Sequence, residues 1–146
     1  MGNRIVAHTI ANIGKHPGTK VTNCVLAAPD IDRDVFLQLA ASLSKGAENV
    51  TLYALSRDKA LRASMRVNGY PRAGYCGKNG KNIIVVNGVC TIDVSAVDSD
   101  FLGHGYVGDN NSIISDLYYL IKGKLPPRDR LRKKEAPSGT YWRFVP

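Results

Sequence analysis

Short apolar runs alternate with helix-like segments along most of this chain, and that alternation restricts it to folds built around a parallel sheet. Val6, Ile10 and Ile13 recur at i, i+4 and i+7, so residues 2–14 are predicted to form an amphipathic helix. Gly14 and His16-Pro17-Gly18 terminate it. Val21 to Ala28 reads as a buried strand that ends at Pro29-Asp30, and Asp30 or Asp32 caps the next element. Phe36, Leu39 and Leu43 mark that element as a helix over 33–44, and Val50 to Leu55 is a second strand. A third helix covers 59–67, with Leu61 and Met65 on one face.

Residues 68–82, rich in Gly, Asn and Lys, read as a long loop. Ile83 to Val86, Asn87-Gly88 and Val89 to Val94 read as strand, turn and strand, because Asn-Gly favours a hairpin. Asp109 or Ser112 caps a last helix whose core face is Ile113, Ile114, Leu117, Leu120 and Ile121. The expected sheet has three to four mostly parallel strands flanked by helices, and such sheets are normally covered on both faces. A chain that opens on a helix leaves that helix without a preceding strand.

A chain of 146 residues suits one domain and can bury a core without disulfides or metal. The formal net charge is +8, but the charge is uneven: seven of the 20 Lys and Arg lie between Lys122 and Lys134. Such a run reads as a solvated tail before it reads as a nucleic-acid arm. The expected division is therefore 1–122 as the folded part and 123–146 as a basic tail, with Tyr141-Trp-Arg-Phe144 docked on the body. Cys24, Cys76 and Cys90 fit no zinc or thioredoxin spacing, and Cys24 and Cys90 fall in apolar runs as buried thiols. No apolar run reaches about 18 residues and no signal peptide is visible, so a cytoplasmic chain is expected as it stands. A signal ahead of Met1 would change that compartment.

Ligands of open parallel sheets sit beyond the carboxyl ends of the strands. Asp30, Asp58 and Asp98 each come after a strand-like run, and His104 comes after the last one, between Gly103 and Gly105. Asp58 reads equally well as the cap of the helix starting at Lys59 or as a catalytic acid. Asp30 and Asp32 form a carboxylate pair without a third ligand, so capping is the better reading and no metal is expected. His8 and His16 carry no assigned role. Ser56, Ser64 and Ser95 lack the small neighbours that expose a nucleophile on a strained turn.

Several long stretches are distinctive. They are Val25-Leu-Ala-Ala-Pro-Asp-Ile-Asp-Arg-Asp-Val-Phe36, Val50-Thr-Leu-Tyr-Ala-Leu-Ser-Arg-Asp-Lys-Ala-Leu-Arg-Ala-Ser64 and Pro71-Arg-Ala-Gly74. Further along lie Ile92-Asp-Val-Ser-Ala-Val-Asp-Ser-Asp-Phe-Leu-Gly-His-Gly-Tyr106 and Ser115-Asp-Leu117. In these the chain resembles the carboxyl-terminal half of a bacterial esterase/lipase-like branch of the α/β-hydrolases, a branch largely of unknown function. The resemblance implies a partial α/β-hydrolase fold. It also explains Met1-Gly-Asn-Arg4, which is similar to the last four positions of a His-Ser-Met-Gly-Asn-Arg nucleophile elbow.

Triads of that fold run nucleophile, acid, base along the chain. The resemblance therefore implies Asp58 as acid, His104 as base, Met1 as an oxyanion-hole position, and a nucleophilic Ser just before Met1. It implies a small ester as substrate and no cofactor. Residues 1–146 alone are then expected to be an inactive hydrolase fragment. The strand at 21–28 is expected to present an unpaired edge open to self-association. The alternative is a non-catalytic binding protein that holds an anion or nucleic acid on Lys59, Arg62, Arg66 and the basic tail.

Overall fold

The computed structural model describes residues 2–16, 18–97 and 111–145. Helix α1 (Gly2–Ile13) leads into strand β1 (Val21–Ala27), helix α2 (Arg33–Gly46), strand β2 (Ala47–Ala54) and helix α3 (Lys59–Asn68). Next come a short 3-10 turn (Lys78–Gly80), strand β3 (Cys90–Asp93), helix α4 (Asn111–Ile121) and strands β4 (Leu131–Ala136) and β5 (Gly139–Phe144). These five strands form one α/β sheet in the order β1-β2-β3-β5-β4. The first four in that order are parallel, and β4 returns antiparallel to β5.

Side chains alternate across the sheet and build two cores. Leu26, Val50 and Leu52 point to one face, where Ala7 and Ile10 of α1 and Phe36 and Leu43 of α2 cover them. Tyr53, Leu55 and Ile92 point to the other, where they meet Ile113 of α4 together with Leu131 and Phe144. From Val50 to Leu55 every residue of the second strand run is buried. That is the continuous burial a central parallel strand requires. Strand β1 has β2 as its one neighbour among the described residues, so its outer edge carries unpaired backbone groups.

Four expectations are corrected. Helix α1 buries Ala7, Ile10 and Ala11 rather than Val6, because small residues let it lie close on α2. Residues 83–86 form no strand, since β2 and β5 already occupy both edges of β3. Asn87-Gly88 still makes a turn, with Gly88 at φ +80°, but it delivers the chain into a parallel strand instead of a hairpin. The segment read as a basic tail supplies β5 and β4, giving five strands where three to four were expected. Leu131, Tyr141 and Phe144 are buried there, while Arg132, Lys133 and Lys134 lie exposed on the sheet margin, where charge deters pairing with another chain.

Candidate active site

The parallel strands β1, β2 and β3 end on one edge of the sheet, and the segments leaving them are laced together. At the end of β1, Ala28 takes a positive φ of +42°, strained for a residue with a Cβ. A Cβ on Gly74 would overlap the Ala28 carbonyl carbon, so only glycine lets the two backbones approach this closely. Gly74 N–H donates to Pro29 O at 3.0 Å and its carbonyl accepts from Leu55 N–H at 3.0 Å. Residue 74 thus bridges the exits of β1 and β2.

The amino end of α1 arrives at the same edge. Asn3 Nδ2 donates to the carbonyl of Ala27, the last residue of β1, at 2.7 Å. This contact brings the start of α1, at Asn3, to the carboxyl end of the sheet.

Asp58 stands just past β2. It caps α3, with Oδ1 accepting from Leu61 N–H at 2.9 Å. Among the described residues its Oδ2 takes no hydrogen bond, so capping leaves one carboxylate oxygen for another partner. The loop before it is held from β3. Arg143 Nε donates to Asp93 Oδ2 at 2.9 Å, and Asp93 Oδ1 accepts from Ser95 N–H at 3.0 Å. Ser95 Oγ then accepts from Ser56 N–H at 2.8 Å. A guanidinium from the last strand therefore fixes the approach to Asp58 through two intermediate residues. Nothing in the local spacing pointed to Arg143, although a carboxylate inside the apolar run Cys90-Thr-Ile-Asp-Val94 signals a buried charge seeking a partner.

The remaining candidates are dispersed. Asp32 caps α2, accepting from Asp34 and Val35 N–H at 2.9 and 3.1 Å. Asp30 does not cap; it pairs with Arg72 Nε at 3.0 Å and accepts from Ser64 Oγ at 2.7 Å. Ser56 lies on the bend between β2 and α3, where its N–H is held by Ser95 Oγ in the network with Asp93, and Ser64 lies within α3. Lys59, Arg62 and Arg66 are all exposed on α3. Met1, Asp98 and His104 lie outside the described residues. Among the described residues no three His, Cys, Asp or Glu converge on a point a metal ion would occupy. No helix among them is long and apolar enough to cross a membrane.

Cys76, inside the segment read as a loop, is fully buried, with its Sγ 3.3 Å from Ser95 Oγ and 3.5 Å from Asp93 Oδ1. Burial, and then the Asp93 charge, push its thiol up to about 12. Burial pushes Cys90 up to about 11 and also raises Cys24. The thiolate is the reactive form, so all three are expected to resist a disulfide-exchange reagent at pH 8 and to react fast in guanidinium. Rapid reaction of the native chain would contradict this packing. The unfolded thiols ionise near their ordinary value of about 8.5. Stability is therefore full below that pH and declines as pH rises toward 11 to 12, where the folded thiols ionise.

The architecture and the lineage agree. Residues 1–122 match the family model of the alpha/beta hydrolases of unknown function, DUF900. The chain belongs to this family. Neither a curated protein nor a solved structure matches it. The α/β-hydrolase assignment covers α1 to α4 and the three parallel strands β1 to β3; β4 and β5 lie beyond the matched residues.

Proposed function

We propose that this hydrolase chain carries the acid and base of a serine esterase-like site, Asp58 and His104, and that the nucleophile is a Ser immediately ahead of Met1. One observation supports the reading above others. Asn3 ties the start of α1 to the end of β1, so a residue preceding Met1 would enter the edge of the sheet from which Asp58 emerges. In this reading His104 takes the proton of the attacking Ser and returns it to the leaving alcohol. Asp58 holds the imidazole tautomer and stabilises the imidazolium. The backbone N–H of Met1, as the residue after the nucleophile, donates to the oxyanion. The substrate is a small carboxylic ester.

Loss of a serine nucleophile costs on the order of a million-fold in rate. Residues 1–146 by themselves are therefore expected to give no labelling with a fluorophosphonate probe. The same chain expressed with its in-frame upstream codons is expected to label stoichiometrically on the Ser before Met1. In that longer chain Asp58→Asn is expected to slow ester hydrolysis by about ten-thousand-fold, as loss of the correct tautomer does in triads of this kind. Stoichiometric labelling of residues 1–146 would refute the reading. So would a longer chain whose hydrolysis is indifferent to Asp58→Asn and His104→Ala.

A further inference from the structure

We infer that the outer face of α4 is a docking surface for an anionic lipid bilayer. The helix is apolar on two sides. Ile113 and Leu120 are buried against the sheet. On an adjoining side, about a quarter turn round, Ile114, Tyr118 and Ile121 are 43%, 57% and 71% exposed, and Leu125 just beyond the helix is 58% exposed. These four succeed one another at spacings of four, three and four residues, which places the helical ones in a single stripe. The outer side of a surface helix is ordinarily polar, so this stripe calls for a partner.

The charges around it select the partner. Lys122 Nζ lies 5.7 Å from the centre of the Tyr118 ring, and Lys124 Nζ lies 4.8 Å from that of Tyr119. The one carboxylate in α4, Asp116, is turned inward and paired with Arg128. The stripe is thus bordered by ammonium groups with no acid of its own helix among them, in a chain of net charge +8. Nucleic acid would use the lysines and leave Ile121 and Leu125 in water. An apolar protein face would use the stripe and leave the lysines unpaired. An anionic bilayer uses both, with aromatic rings at the headgroup level and aliphatic side chains below it. Leu125 also lines a cavity of about 440 Å³ with Cys90, Leu120, Pro126 and Trp142. The walls of that cavity also carry Glu48, Asn49 and Thr140, so its interior is mixed in character. The inference concerns binding alone and does not depend on the hydrolytic reading.

Flotation with vesicles tests it. The chain is expected to float with vesicles of phosphatidylcholine mixed with phosphatidylglycerol, to float poorly with phosphatidylcholine alone, and to lose binding as salt is raised. Ile121→Asp, at an exposed position and checked for an intact fold by circular dichroism, is expected to weaken binding at least about tenfold. The paired variant Lys122→Glu with Lys124→Glu is expected to weaken it by a similar factor. If Ile121→Asp misfolds, the lysine pair carries the test. Equal flotation with both vesicle types, or binding unchanged in either variant, would overturn the proposal. So would a wild-type dimer in sedimentation that Ile121→Asp converts to monomer, since the stripe would then be a protein contact.

Discussion

Arg128→Ala is expected to destabilise the folded chain by about 3–5 kcal/mol, the cost of stranding one half of a buried ion pair. Arg128 and Asp116 are each 4% exposed. The guanidinium donates through Nε to Asp116 Oδ1 at 2.5 Å and through Nη2 to Oδ2 at 2.8 Å, the planar two-point geometry that only arginine supplies. Tyr53 on β2 donates its hydroxyl to Asp116 Oδ2 at 2.5 Å. Burial pulls the Arg128 guanidinium down, but its bonds to Asp116 and the Asp116 charge outweigh that, and its pKa is raised. Burial, and then the Asp116 carboxylate, push the Tyr53 hydroxyl well above its ordinary range.

Without Arg128 the Asp116 charge has no counter-ion and one of its oxygens loses its only described partner. The triple change Tyr53→Phe, Asp116→Leu and Arg128→Met removes every partner together, and is expected to cost less than Arg128→Ala alone. Urea midpoints across the set give the coupling. An Arg128→Ala chain within about 0.5 kcal/mol of wild type would mean that residues beyond Gly123 are the loose tail that their charge suggests.

That contrast shows where the sequence was legible. Apolar spacing identified the helices α1, α2, α3 and α4, and short apolar runs identified the strands β1, β2 and β3, because these elements bury apolar side chains. The segment Leu131-Arg-Lys-Lys-Glu-Ala136 hid its strand, because the exposed outer strand of a sheet carries charge where an inner strand carries Val and Ile. Leu131, Tyr141 and Phe144 were the available signal, since three large apolar residues around a charged run must be buried somewhere. Ile83-Ile-Val-Val86 misled in the opposite direction. Its β-branched residues suit a strand, yet Ile83 and Ile84 bury their side chains without a ladder, because the adjoining strand β3 already has β2 and β5 on its two sides.

At the candidate site, the capping role of Asp58 was legible in the sequence, and that cap leaves one carboxylate oxygen for the acid role proposed for it. The link from Arg143 through Asp93 and Ser95 to Ser56 was not legible, because it joins residues up to fifty positions apart that only the finished sheet brings together.

Gly46→Ala is expected to cost about 3 kcal/mol or more, because the methyl would meet backbone and not a side chain that can turn away. A Cβ at Gly46 would overlap the Ile10 carbonyl oxygen of α1 and lie 2.9 Å from Gly14 N. A Cβ at Gly14 would in turn overlap the Ser42 carbonyl oxygen of α2 and lie 2.8 Å from Gly46 N. The two glycines thus form a reciprocal contact, and either substitution forces α1 and α2 apart. Ala7, Ile10 and Leu43 pack in the core beneath that crossing, so separation opens a void as well as relieving a clash. Gly69→Ala is the informative control. Gly69 adopts φ +75° with open space around it, so its substitution strains one residue without moving a helix, at about 1 kcal/mol. Urea denaturation tracked by Trp142 fluorescence separates the two cases. A Gly46→Ala midpoint equal to that of Gly69→Ala would show that the helices tolerate the wider spacing. A much lower midpoint, with ester hydrolysis in the longer chain falling alongside it, would show why the spacing matters. Helix α1 carries Asn3 to the end of β1, and displacing α1 moves the point at which the proposed nucleophile enters.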